Sequence, residues 1–275
     1  MPGGLAFIVG TLNPKVLPDF LKSIEIQENK DFHVYIVDIS DSHFLSTLHD
    51  SRVTIMDSEN LGYAHNMNVG VSQALRDGYE NFCIINDDTF FKGDFVEKAL
   101  SSLKKNPHAL IGGKIYYAPG YEYHSDRYQK SDLGNVLWYA GGIMDWSHIF
   151  TSHRGVDEVD KGQYDKLEKT EFITGAIMLY NKSVYDAVGK WDESYFLYFE
   201  DADYCVRAER KGIPLIYDPS VIIWHKVSQS TGGSGSNIHV KYQTKNRLKF
   251  GLKYAPLRTK FHLVKNFFFA KRPAK

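Results

Sequence analysis

The sequence predicts an α/β fold: a mainly parallel sheet with helices on both faces. Over the first hundred residues, short apolar runs of strand length alternate with stretches of helical period. One of these runs, Phe82-Cys83-Ile84-Ile85, ends abruptly in Asn86-Asp87-Asp88. That pattern reads as a strand buried on both faces with two adjacent acids at its carboxyl end, where ligands bind in open α/β sheets. Adjacent acids repel each other and prefer water, so the pair suggests a hard divalent cation held by oxygen ligands, and hence phosphate chemistry.

Leu5 to Val9 is the first strand, followed by an amphipathic helix from Val16 to Ile26. His33 to Val37 and Val53 to Met56 are further strands, a helix spans Ala64 to Leu75, and the next strand ends at Asn86. A helix from Phe95 to Leu103 precedes a strand from Leu110 to Tyr117. Between Tyr121 and Gly162 the period fades into Tyr, His, Gly, Ser and Asp, which reads as loops and short strands over the site. Phe172 to Tyr180 is another buried strand, Ser183 to Val188 a short helix, and Trp191 to Asp203 leads into a helix ending near Gly212. Ile213 to Asp218 and Val221 to His225 close the sheet.

The chain has 275 residues, 43% hydrophobic and 24% charged, enough to bury a sizeable core. Cys83 and Cys205 are far apart and form no CxxC pair, which argues against a zinc or dithiol site and for a reducing cytoplasm. The first residues lack the basic start and long apolar core of a signal peptide, and no run approaches ~18 consecutive apolar residues, so neither export by that route nor a membrane span is expected.

The net charge of zero conceals a polarity. No acid follows Asp218, while the last 57 residues hold twelve Lys and Arg, so the body is near −12 and the tail near +12. From Phe250 the basic residues interleave with Leu252, Tyr254, Leu257, Phe261, Leu263, Val264 and Phe267-Phe268-Phe269. Such a segment suits an anionic membrane surface. The same residues would also serve to pack the tail onto the acidic body. No nucleic-acid module accompanies them, and nucleic acid is not expected as a partner. The division is therefore a domain over 1–225 and a basic aromatic extension over 226–275, whose loop Ser228 to Ser236 is either a lid or a linker.

Three acidic or basic elements stand at strand-linked places: Asp87-Asp88, Glu200-Asp201-Asp203, and His225 after Val221-Ile222-Ile223-Trp224. Each has a plain alternative, since Asp-Asp-Thr caps helices, acids start helices, and a lone histidine is commonly structural. Meeting at one sheet edge, they would supply metal ligands and a spare carboxylate for transfer from a diphosphate. A phosphatase with an aspartyl nucleophile is disfavoured because Asn86 occupies the attacking position. A nucleotidyltransferase lacks its glycine-rich basic loop in Gly10-Thr11-Leu12-Asn13-Pro14-Lys15. A non-catalytic nucleotide- or carbohydrate-binding protein remains the alternative.

Asn60-Leu61-Gly62-Tyr63, Asn86-Asp87-Asp88, Thr174-Gly175-Ala176, Trp191-Asp192-Glu193, Phe199-Glu200-Asp201-Ala202-Asp203 and His225, in this order, resemble the family 2 glycosyltransferases of the GT-A fold. The likeness runs from about Phe7 to about Arg247 and leans to the rhamnosyltransferase-like and galactofuranosyltransferase-like branch of bacterial surface-polysaccharide synthesis, lipopolysaccharide or capsule. It implies an inverting, metal-dependent transferase acting from a pyrimidine nucleotide-diphosphate sugar: dTDP-rhamnose, UDP-galactofuranose or a UDP-hexose. The implied acceptor is a saccharide, lipid-linked at the inner face of a bacterial membrane.

The resemblance implies roles residue by residue. Thr11, Asn13, Asp38, Asn60, Gly62, Asn68 and Asp87 match nucleotide-contacting positions, with Asp38 on the pyrimidine base. Asp88 and His225, with Asp87 beside them, match ligands of Mn2+ or Mg2+. Asn86 replaces the first acid of a three-acid signature, which weakens the oxygen set. Asp201 matches the general base, and Glu200 orients it or holds the donor sugar. Trp191, Asp192 and Tyr198 fall at the acceptor side, where flat rings suit sugar faces.

Overall fold

The structure is a computed structural model that describes residues 3–40, 45, 50–227 and 237–269. Twelve strands and seven α-helices follow one another in it. β1 (Leu5–Thr11), α1 (Pro18–Glu25), β2 (Phe32–Asp38), β3 (Val53–Asp57), α2 (Tyr63–Arg76) and β4 (Asn81–Ile85) form the first half of the sheet. Then come β5 (Thr89–Phe90), α3 (Phe95–Lys105), β6 (Leu110–Tyr117), β7 (Leu137–Tyr139), β8 (Gly142–Asp145), β9 (Phe150–His153) and β10 (Glu168–Lys169). β11 (Ile177–Asn181), α4 (Lys182–Val188), α5 (Glu200–Arg210), β12 (Leu215–His225), α6 (Asn237–Tyr254) and α7 (Leu257–Phe269) complete the chain.

The main sheet runs in the order β10-β12-β6-β11-β4-β1-β2-β3. β1, β2, β3 and β4 are mutually parallel, and β12 is parallel to β6, while β11 runs antiparallel to both β4 and β6. The mainly parallel sheet read from the sequence is therefore present, with one reversed strand in its middle. Along β1 the side chains sort with period two: Leu5, Phe7 and Val9 join the core under α1 and α3, whereas Ala6 and Ile8 join the core under α2, α4 and α5. Both faces are covered, which is why the strand reads as a continuous apolar run. Gly70 lets α2 approach, since a Cβ there would come within 2.4 Å of the Ile8 side chain.

Because β2 and β4 lie on opposite sides of β1, the chain reverses its winding there and opens a crevice at the carboxyl edge. Thr11, Asp38, Asn86 and His225 all fall at that edge.

Several elements differ from the sequence reading. The first helix is split into a 3₁₀ turn over Pro14–Val16 and α1, because Pro18 supplies a new helical first turn. The strand expected over Phe172 to Tyr180 begins only at Ile177, because the Gly175 N–H is taken by the Asp201 carboxylate at 3.0 Å instead of a strand neighbour. The two closing strands are one, β12, with an irregularity between Asp218 and Ile222. Asp87-Asp88-Thr89 caps no helix: β5 pairs with β12 directly after it, and α3 starts six residues later at Phe95. The loop Ser228 to Ser236, together with Lys271, Arg272 and Lys275, lies outside the described residues.

Within the extension drawn at 226, α6 packs on the body. Phe250 of α6 is fully buried against Trp146, Phe199 and Tyr254. The Asp203 carboxylate on α5 accepts from Lys253 (2.7 Å) and Tyr254 (2.6 Å) of α6. Opposite charge and apolar contact thus hold α6 against the body. Phe250→Ala should lower unfolding stability by about 3–5 kcal/mol in urea titration. A loss under about 0.5 kcal/mol would show α6 to be a mere appendage.

Candidate active site

A cavity of about 750 Å³ opens at the carboxyl edge of the sheet. Asn60, Gly62, Asp87, Asp88, Tyr198, Glu200, Asp201 and His225, from distant parts of the sequence, all line it.

His225 and Asp88 are buried and face each other, with Nε2 2.9 Å from Oδ1. Their backbones are fixed as well: β12 pairs with β5 at His225 and Thr89, and the Lys226 N–H donates to the Asp88 carbonyl at 2.9 Å. Trp138 stands edge-on to the imidazole, with centroids 4.7 Å apart. The imidazole Nδ1 and the Asp87 Oδ2 are buried without a hydrogen-bond partner among the described residues. Burial, and then the neighbouring Asp88 charge, pushes the Asp87 carboxyl up to about 7, against the pull of the Thr11 hydroxyl beneath it.

No three His, Cys, Asp or Glu side chains converge into a complete cation cage among the described residues. The orphaned Asp87 oxygen beside a paired carboxylate and imidazole nevertheless fits a hard cation whose remaining ligands come from a substrate.

The second carboxylate pair opens α5. Asp201 Oδ2 accepts from the Gly175 N–H (3.0 Å) and Oδ1 from the Ala202 N–H (2.8 Å). Burial raises its pKa, and these donors act against that rise. Glu200 has less such help, since only its own backbone N–H acts against the rise. Burial and the Asp201 charge push it well above the ordinary range, and its Oε2 is buried without a partner among the described residues. The pair therefore favours a proton on Glu200 and a charge on Asp201.

The turn before these acids is strained. Tyr198 and Phe199 both adopt left-handed backbone, with φ of 68° and 72°, which costs side-chain-bearing residues roughly 1–3 kcal/mol each. Gly62 is essential on the facing side: its φ is 106°, and a Cβ would come within 2.4 Å of the Phe196 carbonyl. That contact lets the neighbouring Tyr63 N–H donate to the same carbonyl at 2.9 Å.

Six further sequence candidates lie outside the cavity wall. Thr11 is buried below Asp87. Asp38 ends β2, where its carboxylate accepts from the Ser40 N–H and hydroxyl at 2.8 and 2.6 Å. Asn13 is exposed and caps the 3₁₀ turn. Asn68 is corrected from a nucleotide contact to a structural clamp: it is buried, exchanges hydrogen bonds with the Trp191 backbone at 2.9 and 3.0 Å, and donates to Glu193 at 2.7 Å. Trp191 is corrected likewise, since it is 2% exposed and stacked on Tyr204 with centroids 4.7 Å apart, so no face is open to a sugar. Asp192 turns away to Ser194 and to Lys253 at 3.0 Å.

The sequence reading missed part of the wall. His153 lies in the irregular insert, where no period marks it. Its Nδ1 donates to the Trp138 carbonyl at 3.0 Å, and burial lowers its pKa to about 4, so it is neutral at pH 7. Lys241, Tyr242 and Gln243 come from α6, with Tyr242 stacked on Phe196 at 4.9 Å. The tail's aromatic residues were the available signal, but they pointed equally well to a lipid surface.

The fold is of the GT-A class. The structure superimposes on a crystal structure of GalNAc-T7 with UDP, GalNAc and Mn2+ at a TM-score of 0.66 and 11% identity, over 88% of this chain and 48% of that one. It also matches S. aureus TarS 1-349 at 0.51 and 15% identity, over 78% and 60%.

The chain belongs to the glycosyltransferase-like family 2, whose profile matches residues 2–247. It is 23% identical to the dTDP-rhamnosyl transferase RfbF of Shigella flexneri, over 84% of this chain and 72% of that protein. It is 35% identical to the N-acetylglucosaminyl-diphospho-decaprenol L-rhamnosyltransferase of Mycobacterium tuberculosis, over 63% and 58%. A match to the low-salt glycan biosynthesis hexosyltransferase Agl10 of Haloferax volcanii has 22% identity, over 60% and 48%. The chain thus spans about half to three quarters of the length of these relatives.

The buried acids set a pH dependence. Folded Asp87 keeps its proton up to about pH 7, whereas an unfolded Asp releases it near 4. The folded state binds more protons between these values, so this group's contribution to stability falls as pH rises from about 4 to about 7. Melting curves should therefore show a shallower decline across that window for Asp87→Asn than for the native chain. Parallel curves would overturn the assignment.

Proposed function

We propose that this enzyme is an inverting transferase that moves a hexosyl group, rhamnosyl foremost, from a pyrimidine nucleotide-diphosphate sugar to a saccharide acceptor. The observation carrying this reading is that the Asp88–His225 pair and the Asp201 carboxylate, far apart in sequence, line one cavity. The relatives named as rhamnosyl and hexosyl transferases support the sugar class.

In this reading, Asp201 stays ionised with the help of the Gly175 and Ala202 N–H groups and takes the proton of an acceptor hydroxyl. The hydroxyl oxygen forms its bond to the anomeric carbon as the bond to the diphosphate oxygen breaks on the opposite face, inverting the centre. Glu200 keeps its proton and donates it in a hydrogen bond to a donor-sugar hydroxyl. Asp88 and His225, with Asp87, would hold Mn2+ or Mg2+, which would neutralise charge on the leaving diphosphate. Asn60 and Gly62 of the cavity wall would form the nucleotide side, and Asp38, at the end of β2 with its carboxylate on Ser40, would meet the base imide. Phe196, Tyr198 and Tyr242 replace Trp191 as the aromatic wall for the acceptor.

Asp201→Asn should lower transfer by about 10²–10⁴-fold. Nucleotide with Mn2+ should still raise its melting temperature as in the native chain, where ligand at 100 times Kd adds about 2.7 kcal/mol. Native transfer rates in the variant would sink the mechanism.

The second half of the reading concerns place: a lipid-linked acceptor at the inner face of a bacterial membrane. Among the described residues no helix is long and apolar enough to cross a bilayer. On α7, Leu257 (85% exposed), Phe261 (70%) and Val264 share one side, spaced four and three residues apart. Arg258, Lys260 and Lys265 flank them, which suits an anionic lipid surface. A chain ending at Ala255 should lose sedimentation with phosphatidylglycerol vesicles yet transfer to a water-soluble acceptor within about twofold of the full chain. Unchanged sedimentation would refute the membrane role.

A further inference from the structure

We propose that Asn246 of α6 is a positioning residue for catalysis, locking the left-handed turn that aims Glu200 and Asp201 into the cavity. It is 1% exposed and does not line the cavity. Its side-chain amide donates twice, to the Leu197 carbonyl at 2.8 Å and to the Tyr198 carbonyl at 3.0 Å. Together with the Tyr63 N–H on the Phe196 carbonyl at 2.9 Å, three successive carbonyls are held from two sides, by α2 and by α6.

The Leu197 and Tyr198 carbonyls belong to the peptides whose orientation produces the positive φ of Tyr198 and Phe199. Released, Tyr198 and Phe199 would relax toward ordinary backbone and rotate the first turn of α5. One turn further along α6, Phe250 presses on the Phe199 ring with centroids 5.4 Å apart, so a polar grip and an apolar grip act on adjacent residues of the same turn. Lys249 adds a third grip, with its Nζ 3.9 Å from the centre of the Tyr195 ring.

The amide is suited to this task in a way other side chains are not. Two diverging carbonyls need two donors on one planar group, and asparagine supplies them without a charge. Aspartate in its place would set a carboxylate against two carbonyl oxygens. An apolar residue would leave both oxygens buried without a donor. The helix that carries Asn246 also contributes Lys241 and Tyr242 to the cavity, so the mouth and the catalytic turn share one support.

This proposal rests on Asp201 being the general base, and a double-mutant cycle separates the two. Asn246→Leu should lower kcat by about 10²-fold, the scale expected when a reacting group is displaced by about 1 Å. The nucleotide-induced melting shift, which does not depend on Glu200 or Asp201, should remain within about twofold of native. In an Asp201→Asn background, read under excess enzyme, the same substitution should cost less than about threefold, because the group it positions is already gone.

An equal loss in both backgrounds would mean general destabilisation and overturn the proposal. So would native kcat in Asn246→Leu beside an inactive Asp201→Asn, which leaves the base reading intact. Native activity in Asp201→Asn would refute the base reading itself. If Asn246→Leu does not fold, Asn246→Ser, which keeps one donor, is read by the same cycle with the same outcomes.

Discussion

Adjacent carboxylates buried at one sheet edge are the constraint around which the rest of this molecule is arranged. Asp87 with Asp88, and Glu200 with Asp201, are pairs that water would separate and solvate. Here the protein supplies local partners in place of water: an imidazole for Asp88 and two backbone N–H groups for Asp201. The partner of each pair is left with an unsatisfied oxygen and a raised proton affinity. Such arrangements weaken a fold, and they cluster where chemistry needs a carboxyl out of its ordinary state.

The sheet explains how two such pairs come to share a cavity. Parallel strands send their carboxyl ends to one edge, which delivers Asp87-Asp88 after β4 and His225 at the end of β12. β11 runs the other way, so its beginning rather than its end reaches that edge, bringing Thr174-Gly175-Ala176 beside the acids. The Asn86 N–H accordingly meets the Ala176 carbonyl at 3.2 Å, and the Gly175 N–H is free for Asp201. A single reversed strand thus couples the Asp88–His225 half of the cavity to the half that carries the proposed base.

Much of this was legible in the residues. Strands buried on both faces announce themselves as apolar runs, and the acids that end β4 mark a sheet edge whatever the tertiary detail. Side-chain direction was not legible. Trp191 has the composition of a sugar platform, yet its ring faces Tyr204, because a loop without period gives no rule for which way a ring points. Asn68 has the composition of a nucleotide contact, yet it braces the Trp191 backbone. Asn246 and Phe250 sit in a stretch whose basic character dominated its reading. Their contacts lie about 50 residues back in the chain, and only packing reveals a relation of that length.

The α6 contacts bear on what counts as one heritable part. The stretch shared with the family ends at residue 247, seven residues before the last residue of α6. A segment excised at that limit would keep the Asn246 amide and discard Phe250, Lys253 and Tyr254, leaving Phe199 without its ring neighbour and Asp203 without two of its hydrogen-bond donors. The family likeness thus stops inside α6, and a module cut by sequence likeness alone would inherit the acids and the Asn246 amide without the ring and the two donors that fasten α6 to α5.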